Sequence, residues 1–313
     1  MKVKKILCLC GGVGGAKLAL GFSKILSPEQ LTIVVNTGDD FEHLGYSISP
    51  DIDTVIYTLA GMSNKAQGWG IEGETWEFMA AQEKSGGESW FRLGDKDLLT
   101  HQRRKQLLAE GKTLSEVTQA LCKKYQVNHP VVPMSDDRVS TFIKTANADL
   151  PFQHYFVREQ CRPVVSGFYF KNAENAKPSA GFLRALDDTE LSAVVICPSN
   201  PFVSIDPILS LPGIQDKLKN VKAPVIAVSP IIGGNAIKGP TAKMMDELGI
   251  PKTSQAIAEH YRDILDMLIV DDSDASEIPA VEKIGLRCIS TQTLMKTDND
   301  KEKLARFILE TIQ

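Results

Sequence analysis

Short, unbroken apolar runs recur along the chain, and each ends in a polar loop. Ile6-Leu7-Cys8-Leu9-Cys10 leads into Gly11-Gly12-Val13-Gly14-Gly15, and Leu31-Thr32-Ile33-Val34-Val35 into Asn36-Thr37-Gly38-Asp39-Asp40. Ala193-Val194-Val195-Ile196-Cys197 leads into Pro198-Ser199-Asn200-Pro201, and Val225-Ile226-Ala227-Val228 into Ser229-Pro230-Ile231-Ile232-Gly233-Gly234. Leu268-Ile269-Val270 and a weaker run at 285–290 follow. Runs without polar alternation suit strands buried on both faces of a parallel sheet. Between the first two, Leu18, Leu20, Phe22, Ile25 and Leu26 predict a helix over 17–27, closed by Ser27-Pro28. This βαβ order brings the loops at 11–15 and 36–40 to one sheet edge. Leu304, Phe307, Ile308 and Ile312 define one face of an amphipathic helix from Asp300 to Gln313.

The middle of the chain reads differently. Two stretches, Gly68-Trp69-Gly70-Ile71-Glu72-Gly73-Glu74-Thr75-Trp76 and Trp90-Phe91-Arg92-Leu93-Gly94-Asp95-Lys96-Asp97, mix glycine, aromatic and acidic residues. Residues 98–126 look helical, with a capping box at Thr113-Leu114-Ser115-Glu116. Within them Arg103-Arg104-Lys105 reads as a solvated face. Thr141 to Thr145 with the turn Asn147-Ala148-Asp149 suggests a hairpin, and Phe152 to Val157 a further strand. The expected fold is therefore α/β: a doubly wound, mainly parallel Rossmann-like sheet built from residues 1–61 and 163–313. Residues 62–162 are expected to form a mostly helical inserted cap over the ligand edge.

Composition narrows the function. With 43% apolar and 24% charged residues in 313, the chain has the make-up of an ordinary globular protein. A net charge of −4 gives no bulk attraction to nucleic acid or an anionic membrane. No apolar run is long enough for a membrane span or a signal peptide. The six cysteines are scattered and read as small buried residues of a reducing, cytoplasmic setting. The side chains of Cys8-x-Cys10 are expected to diverge and form no metal pair.

The candidate chemistry lies at the strand ends. Glycines admit a phosphate close to backbone N–H groups, and a helix start aims its dipole there. Three such loops, at 11–15, 199–200 and 229–234, suit a nucleotide or diphosphate. The first is not a P-loop, because Lys17 is not followed by the pattern's Ser or Thr at the right spacing. It is not a dinucleotide fingerprint either, since Lys17 stands where the third glycine belongs. Asp39, Asp40, Asp51 and Asp53 nearby make sense if a hard cation such as Mg²⁺ sits between them and the phosphates. Asp53 could equally cap the helix that follows it. Tryptophans in the cap could stack on a flat ring or close a satellite core. The five histidines are dispersed and suggest no cluster.

Taken in order, Gly11-Gly12-Val13-Gly14-Gly15-Ala16-Lys17, Val35-Asn36-Thr37-Gly38-Asp39-Asp40, Ser49-Pro50-Asp51-Ile52-Asp53-Thr54, Leu93-Gly94-Asp95-Lys96-Asp97, Pro198-Ser199-Asn200-Pro201 and Ser229-Pro230-Ile231-Ile232-Gly233-Gly234 resemble the 2-phospho-L-lactate transferase family of deazaflavin coenzyme F420 biosynthesis. The resemblance covers nearly the whole chain. It implies transfer of a phospho-three-carbon-acid group (2-phospho-L-lactate, phosphoenolpyruvate or 3-phosphoglycerate type) from its guanosine diphosphate-activated form to the deazaflavin Fo. The resemblance also implies release of GMP, a requirement for Mg²⁺ and a homodimer. Carried over residue by residue, it implies that Gly12, Val13, Gly14, Gly15, Lys17, Asn36, Ser199, Asn200, Ser229, Gly233 and Gly234 hold the diphosphate nucleotide. Asp40 and Asp53 are the expected metal ligands and catalytic carboxylates, with Asp39 next in line. Trp90, Gly94 and Asp95 are expected to face the deazaflavin. The competing expectation is a non-catalytic regulator of the related cell-shape group, which binds nucleotide sugars.

Overall fold

The computed structural model describes residues 4–236 and 239–312. Seven strands form one sheet: β1 (Lys5–Cys10), β2 (Leu31–Val35), β3 (Val131–Pro133), β4 (Leu191–Ile196), β5 (Val225–Val228), β6 (Met267–Asp271) and β7 (Arg287–Thr291). All pair in parallel, in the order β7-β6-β5-β4-β1-β2-β3. The order reverses between β1 and β4, which is where an open α/β sheet leaves a crevice beyond its strand ends. The doubly wound, parallel arrangement read from the apolar runs is the one observed.

Side-chain alternation along these strands builds two cores, one on each face. Leu7, Leu9, Val34, Val194, Ile196, Ala227 and Leu268 belong to one. Ile6, Cys8, Cys10, Ile33, Val35, Val195 and Ile269 belong to the other. Cys8 and Cys10 thus share a face, contrary to the expectation that they diverge, because residues two apart on a strand point the same way. Both are buried free cysteines.

Helix α1 (Gly12–Ser23) starts one residue after β1, earlier than the apolar spacing suggested. Its glycines lack the apolar side chains that reveal a helix, so the first turn was hidden. Helix α2 (Pro50–Leu59) begins at Ser49-Pro50, which makes Asp53 a first-turn residue rather than an N-cap. α1 packs between α2 and the C-terminal helix Asp298–Thr311. Leu304 and Ile308 of that helix are buried as expected, while Gln313 lies outside the described residues.

The 62–162 stretch carries α3 (Glu77–Lys84), α4 (Asp95–Ala109) and α5 (Leu114–Lys124), the last with its capping box at Thr113 and Glu116. It also supplies β3, the edge strand of the main sheet. The hairpin is present: Ser140–Thr145 pairs antiparallel with Asp149–Pro151 and, on its other side, with Val165–Lys171. The strand expected at Phe152 to Val157 is instead a π-helical turn, His154–Arg158. Ile48, Met79 and Leu93 make a small satellite core beneath the aromatic stretches. Among the described residues, no helix is long and apolar enough to cross a membrane.

Candidate active site

A cavity of about 720 Å³ opens where the strand order reverses. One end is lined by residues 11–14, Lys17, Ser199, Asn200 and Ser229, and the other by Trp69, Trp90, Phe91 and Phe156. A polar, backbone-rich end and an aromatic end therefore share one space.

At the polar end, Gly12 adopts φ +63° and has open space where a side chain would project. Gly14 is required for a different reason: a Cβ there would lie 2.1 Å from the Pro198 carbonyl oxygen. The α1 start and the β4 loop are thus in close contact. Ser199 locks them, its hydroxyl donating to Gly11 O (2.8 Å) and accepting from Gly11 N–H (3.2 Å). Gly15 sits behind the wall, with Cys10 and Ser199 in the space a Cβ would need. Asn200 accepts from Phe202 N–H (2.9 Å), and Ser229 shares a hydrogen bond with Ser254 (2.9 Å). These hydrogen bonds fix the loops that border the cavity. Asn36 is fully buried and bonds to Asp51 (3.0 Å) and to the Val203 carbonyl. Gly233 and Gly234 turn a two-residue hairpin, Gly233 N–H being held by Asp274, and neither lines the cavity. Pro230, Ile232 and Thr241 take that position on the wall.

At the aromatic end Trp90 meets His154 edge-on (4.7 Å between ring centroids) and His43 (5.0 Å). Gly94 and Asp95 are not on the wall. Gly94 is the N-cap of α4 with Glu74 packed over it. Asp95 accepts from the Glu77 and Phe78 N–H groups (3.0 Å each), capping the start of α3.

The model of the family described as 2-phospho-L-lactate transferase CofD matches residues 6–312. The chain belongs to that family. It is 38% identical over 312 residues to a phosphoenolpyruvate transferase of Kitasatospora aureofaciens, covering 97% of each protein. It is 36% identical over 305 residues to a 2-phospho-L-lactate transferase of Methanosarcina mazei, covering 97% of this chain and 99% of that one. Among solved structures, a UPF0052-family protein of Bacillus halodurans aligns with a TM-score of 0.65 at 17% identity, over 99% of each chain. That likeness concerns the fold alone. Family membership makes this a transferase of the 2-phospho-L-lactate and phosphoenolpyruvate type.

A buried acidic cluster borders the transferase cavity. Asp39 and Asp53 line the cavity, and Asp40 lines a smaller adjoining one of about 200 Å³ that Asp39 also borders. Asp39 Oδ1, Asp40 Oδ1 and Asp53 Oδ2 are buried without a hydrogen-bond partner. Burial pushes the carboxyl groups of Asp39 and Asp40 well above the ordinary range, and raises Asp53 despite the opposing charge of Arg104. Buried carboxylate oxygens without partners are costly unless a cation meets them. Carboxylate oxygens are the hard donors that Mg²⁺ takes.

Sequence reasoning missed the other half of this cluster, on α4. Arg104 has no solvent exposure and hydrogen-bonds Asp53 Oδ1, while Arg103 and Lys105 are exposed. Arg104 also donates to His101 Nδ1 (3.1 Å), and His101 Nε2 faces Asp97 Oδ2 (3.3 Å). Tyr57 donates to Asp97 Oδ1 (2.5 Å). Asp53, Asp97 and His101 bring ligand atoms within 4.8 Å of one another. The Arg104 guanidinium already supplies positive charge beside this triad. The signal was the spacing: Asp97, His101 and Arg104 fall at i, i+4 and i+7, one helix face.

Proposed function

We propose that the protein transfers a phospho-three-carbon-acid group from its guanosine diphosphate-activated form to a hydroxyl of the deazaflavin Fo, releasing GMP. The observation that carries this reading is the single cavity that has a phosphate-suited end and an aromatic end and is bordered by a buried acidic cluster. Backbone N–H groups of the loops at 12–14 and 199–200 would cradle the diphosphate, and Trp90 with its neighbours would hold the ring system. The acceptor oxygen forms a bond to the acid-bearing phosphorus. The bond from that phosphorus to the bridging oxygen breaks, and GMP leaves with the electron pair. The hydroxyl proton must go to a base. Asp53, which lines the cavity and whose Oδ2 makes no hydrogen bond, is the group we assign to it. Arg104 fixes that carboxylate in place through its other oxygen.

Asp39 and Asp40 would hold Mg²⁺, which when bound neutralises charge on the transferred group. The same reading takes the protein to be a cytoplasmic homodimer. Incubation with Fo, Mg²⁺ and each of the three activated acids tests the proposal. GMP should appear together with a phosphodiester-linked deazaflavin. Absence of GMP with all three donors, or tight binding of a UDP-sugar without binding of Fo, would favour a nucleotide-sugar-binding regulator instead.

A further inference from the structure

The N-terminus of α1 already holds an anion of the protein's own. Asp51, in the first turn of α2 and 5% exposed, accepts from the Gly12 N–H through Oδ1 (2.7 Å). Its Oδ2 accepts from the Asn36 side-chain amide (3.0 Å). Gly12 is the first residue of α1, and its N–H is among those a phosphate oxygen would use. Both residues line the cavity. A diphosphate entering here meets a carboxylate at the donor it needs.

The carboxylates around it add negative charge rather than offset it. Asp39, Asp40 and Asp53 lie nearby, each with one buried oxygen lacking a partner. Arg104 is committed to Asp53 and His101, and the Lys17 ammonium reaches the Met295 carbonyl (3.0 Å). We infer that Asp51 plugs the phosphate cradle: its carboxylate holds the Gly12 N–H and repels a nucleoside diphosphate until a divalent cation has joined the acidic wall. This deepens the proposed function and rests on its donor being a nucleoside diphosphate derivative. It makes Asp51 a positioning residue that sets the order of binding, cation before donor.

The test is GDP binding by calorimetry on the full-length protein, with Mg²⁺ or with EDTA. For the unaltered protein Mg²⁺ should tighten GDP binding by about 30-fold, and GDP should tighten Mg²⁺ binding by the same factor. Asp51→Asn should bind GDP about 10-fold more tightly in EDTA than the unaltered protein, with the Mg²⁺ effect reduced to about 3-fold. Asp51→Ser, which keeps an oxygen for Gly12 without the charge, is the second variant should the first not fold, and the same result is expected. Equal GDP affinity with and without Mg²⁺, or an undiminished Mg²⁺ effect in a folded Asp51 variant, overturns the plug while leaving the transferase reading intact. Absence of GDP binding under every condition overturns both.

Discussion

Arg104, in the middle of α4, hydrogen-bonds Asp53, in the first turn of α2, with both side chains buried. The pair ties the inserted segment to α2 and leaves Asp53 Oδ2 without a hydrogen bond. Arg104→Ala would strand Asp53 beside Asp97 without the guanidinium. Loss of one partner from a buried ion pair destabilises by about 3–5 kcal/mol. Urea unfolding should show that loss, and GMP release should fall with it. A change under about 1 kcal/mol would mean the pair contributes little to the fold.

Gly14→Ala tests how the cavity divides its ligands. The new Cβ collides with the Pro198 carbonyl, so α1 and the β4 loop must separate. Affinity for GDP should fall by at least about tenfold, equivalent to about 1.4 kcal/mol, while Fo binding stays within twofold. Gly14→Val should abolish GDP binding. Equal loss of both ligands, read by fluorescence titration of Fo and calorimetry of GDP, would show that the ends are not independent.

Trp90→Ala should act in the opposite sense. Trp90 lines the aromatic end and is steadied by His43 and His154. Losing an aromatic pair costs about 0.5–1.5 kcal/mol beyond area. KM for Fo should rise by up to about tenfold with the GDP affinity unchanged. An unchanged KM for Fo would remove Trp90 from the acceptor site.

The acidic cluster also sets a pH dependence. Burial raises Asp51 to about 6 and pushes Asp39 and Asp40 well above their ordinary values. Between the unfolded carboxylate range, near 4, and these raised values, the folded protein binds more protons than the unfolded chain. Stability then falls as pH rises through that window. Asp298, hydrogen-bonded by Lys24 and Lys301, is shifted down and weakens the fold only at more acid pH. In EDTA the melting temperature should therefore be higher at pH 5.5 than at pH 7.5, and Mg²⁺ should raise it more at pH 7.5. A melting temperature in EDTA that drops between pH 7.5 and 5.5 would contradict this.

Much of the core was legible because β1, β2, β4, β5 and β6 are buried on both faces, so each shows as an unbroken apolar run. What escaped was structure that apolar pattern does not encode. The first turn of α1 is mostly glycine, and the π-helical turn at His154–Arg158 buries only Tyr155. Arg104 hid among charged neighbours because one buried position in a charge run is visible only from helical spacing. Strand-end glycines and acids were found where expected. Asp95 and Gly233 do not line the cavity, and each bonds a distant segment: Asp95 the start of α3, Gly233 the Asp274 carboxylate beyond β6. Sequence order does not tell a cap from a contact.

Strand β3 gives the inserted stretch a mechanical role. Its extension, Met134, donates its N–H to the Val35 carbonyl (2.9 Å), and Thr141 N–H donates to the Gly38 carbonyl (2.8 Å). The loop leading to Asp39 and Asp40 is therefore tied at Val35 and at Gly38 by backbone from the segment that also carries Trp90. Residues 131–141 form a brace, and the loops before it are free ends. Insertions near 85–88 or 110–112, in exposed turns, should leave the acidic loop in register, whereas a single inserted residue within the brace would shift it. New acceptor preferences can then arise by lengthening the outer loops, while the span that steadies the carboxylates must keep its length.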